Sequence, residues 1–162
     1  MKFFTKKAWK ARLSFVLPVS AELIFTMLSA LFTGLALFSG DGSPVTLATV
    51  VLSLFSLAVW ITAALLAHGY RSRKLLLFQT CFWFAAILIW LALIPLNGGL
   101  TDESGFLYFL FLALGFPVAS YLPLIAALGI QKALIETVLT PVPALGLAVF
   151  SLVLLLRLPK KG

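Results

Sequence analysis

The sequence is poor in the residues that most enzyme sites are made of. Its 162 residues include one histidine, His68, one cysteine, Cys81, and five acids, Glu22, Asp41, Asp102, Glu103 and Glu136. A single cysteine forms no intrachain disulfide, and with a single histidine there is no Cys/His metal cluster to assemble. No G-x-S-x-G, H-E-x-x-H, G-x-x-x-x-G-K-[ST] or C-x-x-C pattern occurs. Both aspartates fall in short links between apolar runs, which excludes an intramembrane aspartate pair. These gaps predict a protein without enzymatic activity, cofactor or metal. Charge is scarce as well: 10% of the chain, against about 25% in an ordinary soluble domain.

What fills the chain is apolar. Hydrophobic residues make up 62% of it and the mean hydropathy is +1.15. They fall in runs of the roughly 20 residues needed to cross a hydrocarbon layer about 30 Å thick. The expected fold is all-α, a polytopic transmembrane helix bundle of about five spans, 13–38, 44–68, 75–96, 105–129 and 138–156, in one integral membrane domain over 1–162. The alternative is four spans plus a re-entrant segment over 105–135. The net charge of +7 does not point to nucleic acid, because the basic residues gather at the ends of apolar runs. Lys2, Lys6, Lys7, Lys10 and Arg12 precede the first run, which is longer than the 7–15 residues of a signal-peptide core and is expected to remain as a span.

With spans alternating, nine Lys/Arg lie on the side of the N-terminus and none in the links 1–2 and 3–4. The positive-inside rule then places the N-terminus in the cytoplasm of a bacterial-type plasma membrane. Five spans would put Arg157, Lys160 and Lys161 outside, against the same rule; the fold-back alternative puts them inside.

The links carry turn chemistry. Ser39-Gly40-Asp41-Gly42-Ser43-Pro44 predicts a tight reversal with Ser43 as N-cap and Pro44 at the first helical position. Gly69 is expected to end the second span in a left-handed conformation, His68 to act as a helix-end cap, and Cys81 to be a small packing residue. Gly115, Pro117 and Pro123 interrupt the fourth span. Such a break either lines a binding site or is repaired by neighbouring helices. In size and span number the chain resembles the translocator-protein family of tryptophan-rich sensors. It lacks that family's Trp- and Pro-rich signatures, so nothing is carried over.

One feature concentrates the chemistry. Glu22, Thr26, Ser29, Thr33, Ala36 and Gly40 follow at steps of four and three, so they line one side of a helix whose other side is Leu, Ile, Phe and Met. Thr46, Thr49, Ser53, Ser56, Trp60, Ala63 and Ala67 recur at steps of three and four on the second span, and apart from Trp60 make a matching small seam, which permits close helix approach in lipid. Glu22 lies about 10–14 Å into the hydrocarbon at about 1.5 Å per residue. An ionised side chain at the bilayer centre costs about 2.5–3.5 kcal/mol on insertion scales. Glu22 is therefore expected to be neutral and hydrogen-bonded, to pair with Arg71, Arg73 or Lys132, or to serve as a proton or cation site.

Two functions follow. The first is a non-enzymatic accessory or partner subunit of a membrane complex, motivated by the small-residue seams. The alternative is a small transporter or channel-like protein with a proton, cation or substrate site at Glu22, Thr26, Ser29, Thr33, Gly115 and Pro117. Expected partners are the lipid bilayer and other membrane proteins or a second copy of the chain.

Overall fold

The computed structural model of the chain describes residues 6–38, 45–97, 115–129 and 138–159. Three long helices, α1 Lys6–Phe38, α2 Leu47–Gly69 and α3 Arg73–Asn97, contain stretches long and apolar enough to cross a membrane. Two one-turn helices, α4 Phe116–Ala119 and α5 Leu122–Ala126, and the 15-residue α6 Val142–Leu156 complete the bundle of about five apolar helices. α1 begins at Lys6, so part of the basic lead is helical, and Pro18 is accommodated without ending the helix.

The packing is that of a membrane protein. Large apolar side chains point outward: Leu17, Met27, Leu31, Leu88 and Leu156 are all more than half exposed. The interior holds Glu22, Thr26, Ser29, Thr33, Thr49, Ser53, Ser56, Gln79, Ser120 and Ser151, each buried. In water this arrangement would expose apolar surface and bury polar groups at a cost; in lipid the outward face meets its own kind.

Two helix ends and one side chain differ from expectation. α2 is capped by Thr46, not by Ser43, which lies with Asp41, Gly42 and Pro44 outside the described residues. The Thr49 amide donates to the Thr46 hydroxyl at 3.1 Å and the Thr46 amide to the Thr49 hydroxyl at 2.9 Å. At the other end the left-handed residue is Arg71, φ 54°, rather than Gly69. Ser72 donates to the Ala67 carbonyl at 2.7 Å and Arg71 to the His68 carbonyl at 3.0 Å, a Schellman closure with a non-glycine at its turning point. Cys81 is exposed on the outer face of α3 and packs no core.

α2 runs antiparallel to α1, and α6 antiparallel to α3. Phe15 and Val19 of α1 join Ala64, Ala67, Leu75, Leu76, Leu154 and Leu158 in one apolar cluster. The His68 ring lies 3.1 Å from the Leu154 carbonyl. These contacts gather the start of α1, the Arg71–Lys74 turn and the end of α6 with Arg157 at one end of the bundle. Arg157 therefore does not lie on the far face that strict alternation of five spans requires; residues 98–114 and 130–137, between α3 and α6, lie outside the described residues. Within the described part of the fourth apolar run Pro123 offers no N–H to the preceding turn, and Phe116–Ala126 covers about 16 Å at about 1.5 Å per residue.

Candidate functional site

The α1 stripe and the α2 seam meet face to face. Thr26 and Ser56 hydroxyls lie 3.2 Å apart, and Ser29 and Ser53 hydroxyls 3.1 Å apart. Hydroxyls on a helix in lipid have two ways to find an acceptor, and both are used here. Thr26 and Thr33 donate back to the carbonyls of Glu22 and Ser29 at 2.7 and 2.8 Å, and the Ser53 hydroxyl lies 2.8 Å from the Thr49 carbonyl, one of two carbonyls within reach of its single proton. The remaining contacts cross between helices, and Trp60 Nε1 donates to Thr26 at 2.8 Å.

The helix break enters this seam. Pro123 occupies the position from which an N–H would reach back to the Ser120 carbonyl, and the Leu124 amide turns to Tyr121 instead. The Ser120 carbonyl then accepts from Ser53 at 2.5 Å and from Ser29 at 3.0 Å. Of the two expectations for the break, repair by neighbouring helices is what these bonds provide. They also set the next residue, Tyr121, deep in the bundle. Gly115 and Pro117, two of the expected site residues, are buried and shape α4; neither contributes a polar side chain.

Glu22 sits at the inner end of the stripe with no solvent exposure. Its Oε1 accepts a short hydrogen bond from the Gln79 amide of α3, and Gln79 Oε1 faces the Ser151 hydroxyl of α6 at 3.4 Å. Arg71 and Arg73, offered as ion-pair partners, are exposed at the basic end, and Lys132 lies outside the described residues. The partner is an amide rather than a cation because the apolar cluster of Leu75, Leu76 and Leu154 stands between Glu22 and that end. Toward the opposite end the lining is hydroxylated, through Ser56, Ser53 and Thr49 of α2 to the exposed cap Thr46.

Three buried polar atoms among the described residues have no hydrogen-bond partner: Glu22 Oε2, Trp83 Nε1 and the Tyr121 hydroxyl. Trp83 follows Gln79 by one turn of α3, and its ring centroid is 5.6 Å from that of Tyr121. Ser56 is the polar side chain beside the Tyr121 hydroxyl. Trp60 stacks on Phe82 at 5.1 Å and meets Trp83 edge-on at 4.8 Å, so aromatic rings close the cluster.

Thus Glu22, Thr26, Ser29 and Thr33 all face the interior along one side of α1. Gln79, Trp83, Ser120 and Tyr121 are the additions. Gln79 and Trp83 share a face of α3 in the sequence, which was the available signal; Tyr121 had none, since the break erases helical periodicity. The fold and site define a helical membrane bundle with a carboxyl group at the centre of a hydroxylated interior. Comparison with known proteins finds no matching family model, no matching curated protein and no matching solved structure.

Proposed function

We propose that the protein is a small transporter whose Glu22 binds a proton or cation within the bilayer. The observation that carries this reading is the buried Glu22 carboxyl with one oxygen held by Gln79 and the other without a partner. Packing alone would be served by Gln or Ser at this position. A carboxyl group in an apolar environment is costly in its ionised form, and intramembrane acids mark ion and proton pathways by default. Buried hydroxyls of Ser56, Ser53 and Thr49 continue from the site toward Thr46, and the Leu75–Leu154 cluster lies on its other side.

The accessory-subunit reading draws less support. It rests on small-residue seams, and Ala63, Ala67, Ala144, Ala148 and Ser151 all face inward, already used within the chain. In this reading the protein has no enzymatic activity. The basic end, with Arg71, Arg73, Lys74 and Arg157, faces the cytoplasm of a bacterial-type plasma membrane by the positive-inside rule.

The test is flux in sealed proteoliposomes carrying an internal pH-sensitive dye, under imposed proton, sodium or potassium gradients. Dissipation of one of these gradients by the unaltered protein, lost in Glu22→Gln, is the expected result. Dissipation that Glu22→Gln leaves unchanged, or none above protein-free vesicles, overturns the proposal.

A further inference from the structure

We infer that the basic end of the bundle is a binding face for anionic phospholipids. Arg71, Arg73, Lys74 and Arg157 take the headgroup phosphates, and the exposed apolar residues next to them take the acyl chains. No part of this depends on Glu22 or on transport.

Packing brings the cations of three segments to one level. Ala67, Leu75 and Leu158 are buried in the same cluster; the first two flank the Arg71–Lys74 turn and the third follows Arg157. The Leu154 carbonyl lies 3.1 Å from the His68 ring, and Arg157 and Arg71 each follow these residues by three positions. On the α1 side, the Phe15 and Phe78 rings meet edge-on at 6.1 Å, and α1 and α3 both leave this end of the bundle. Five residues back from each lie Lys10 and Arg73, about 7–8 Å further out at about 1.5 Å per residue. Arg71, Arg73, Lys74 and Arg157 are all exposed. No acid offsets them: residues 1–21, 42–101 and 137–162 contain neither Asp nor Glu, and Glu22, the one acid among the described residues, is buried deeper than Phe15.

Two observations select a lipid as the occupant. Leu66, Leu77 and Leu156, each more than half exposed, lie within about a turn or two of these cations along the chain, and Tyr70 beside Arg71 is 81% exposed. Positive charge next to outward apolar surface, with a tyrosine between them, is the order of phosphate, interface and acyl chain in a phospholipid. A nucleic acid or a free phosphate would meet the charges and leave the apolar surface uncovered. The second observation is Arg71 itself. It holds φ 54°, a conformation that glycine adopts freely and that a Cβ disfavours. A strained backbone kept at an exposed turn is accounted for by what its side chain does. The arginine fork presents paired N–H donors to two phosphate oxygens, which no small turn residue can do.

The experiment is electron spin resonance of the full-length protein in phosphatidylcholine bilayers holding a trace of spin-labelled phosphatidylglycerol or, in parallel, spin-labelled phosphatidylcholine. The motionally restricted fraction gives the relative affinity of the protein for each lipid. Phosphatidylglycerol is expected to be preferred, and the preference to fall by up to about fivefold in Arg71→Gly. That variant relieves the turn and should resist denaturing detergent better than the unaltered protein, so its loss of lipid is not loss of fold. Adding Arg73→Gln, Lys74→Gln and Arg157→Gln should lower the preference further. Equal restriction of the two lipids by the unaltered protein overturns the proposal. So does a preference that Arg71→Gly and the fourfold variant both leave unchanged. Inorganic phosphate, compared with chloride at equal ionic strength, should displace no extra phosphatidylglycerol; selective displacement by phosphate makes this a free-anion site. Displacement by an RNA oligonucleotide at the same ionic strength makes it a nucleic-acid face, and either result overturns the lipid assignment.

Discussion

Replacing Gln79 with Leu asks what the Glu22 contact contributes. Gln and Leu are close in volume, so the packing of α3 against α1 and α6 is kept while the donor to Glu22 Oε1 is removed. Glu22 Oε2 is already without a partner, so the variant leaves the whole carboxyl group unsatisfied in the interior. Ser151 loses its contact with Gln79 Oε1 at the same time. A buried polar group stripped of its partner costs about 1–3 kcal/mol. Removing both partners is a different matter. Glu22→Leu with Gln79→Leu leaves no stranded carboxyl group, and the cycle isolates the pair. Hydrogen-bonding pairs in membrane proteins average about 0.6 kcal/mol and reach about 1.7 kcal/mol. The assay is unfolding of the purified protein by a denaturing detergent in mixed micelles, followed by circular dichroism. Gln79→Leu is expected to shift the equilibrium constant by about fivefold to a hundredfold, since about 1.4 kcal/mol is tenfold. The double variant should lose less than the two single losses added. Additivity within about 0.5 kcal/mol, the behaviour of sites that do not touch, would refute the reasoning.

Other consequences are as direct. Thr46→Ala removes the N-cap of α2 and should destabilise by about 1 kcal/mol in the same titration. Arg71→Gly should stabilise by about 1 kcal/mol, because the left-handed conformation at φ 54° suits glycine and strains a residue with a Cβ. Ser29→Ala with Ser53→Ala strips the Ser120 carbonyl of both donors, and amide hydrogen exchange at 121–126 should accelerate while that in α2 is unchanged.

How much of this was legible beforehand follows from where lipid and protein meet. The α1 stripe and the α2 seam were readable because in a membrane the lipid-facing side is uniformly apolar, so polar residues at steps of three and four mark the interior. Thr26–Ser56 and Ser29–Ser53 are that pattern made into contacts. The helix ends were less readable. Ser43 and Thr46 are both competent caps, and Gly69 is the more obvious left-handed residue than Arg71; where the last turn closes depends on which carbonyl the next amide reaches. The side of the tail, which alternation left open between two readings, follows from Leu154 and Leu158 packing beside Phe15 and Val19, contacts that no sequence pattern announces. Tyr121 was not readable at all. Its place beside Trp83 is reached through a segment whose periodicity the prolines remove.

Charge movement through Glu22 is the most direct readout of a proton site there. Protein reconstituted on a solid-supported membrane and exposed to a rapid pH jump should give a transient current, absent in Glu22→Gln and unaltered by exchanging sodium for potassium. A current of equal size in Glu22→Gln, or one that follows the sodium gradient rather than the pH jump, would contradict it.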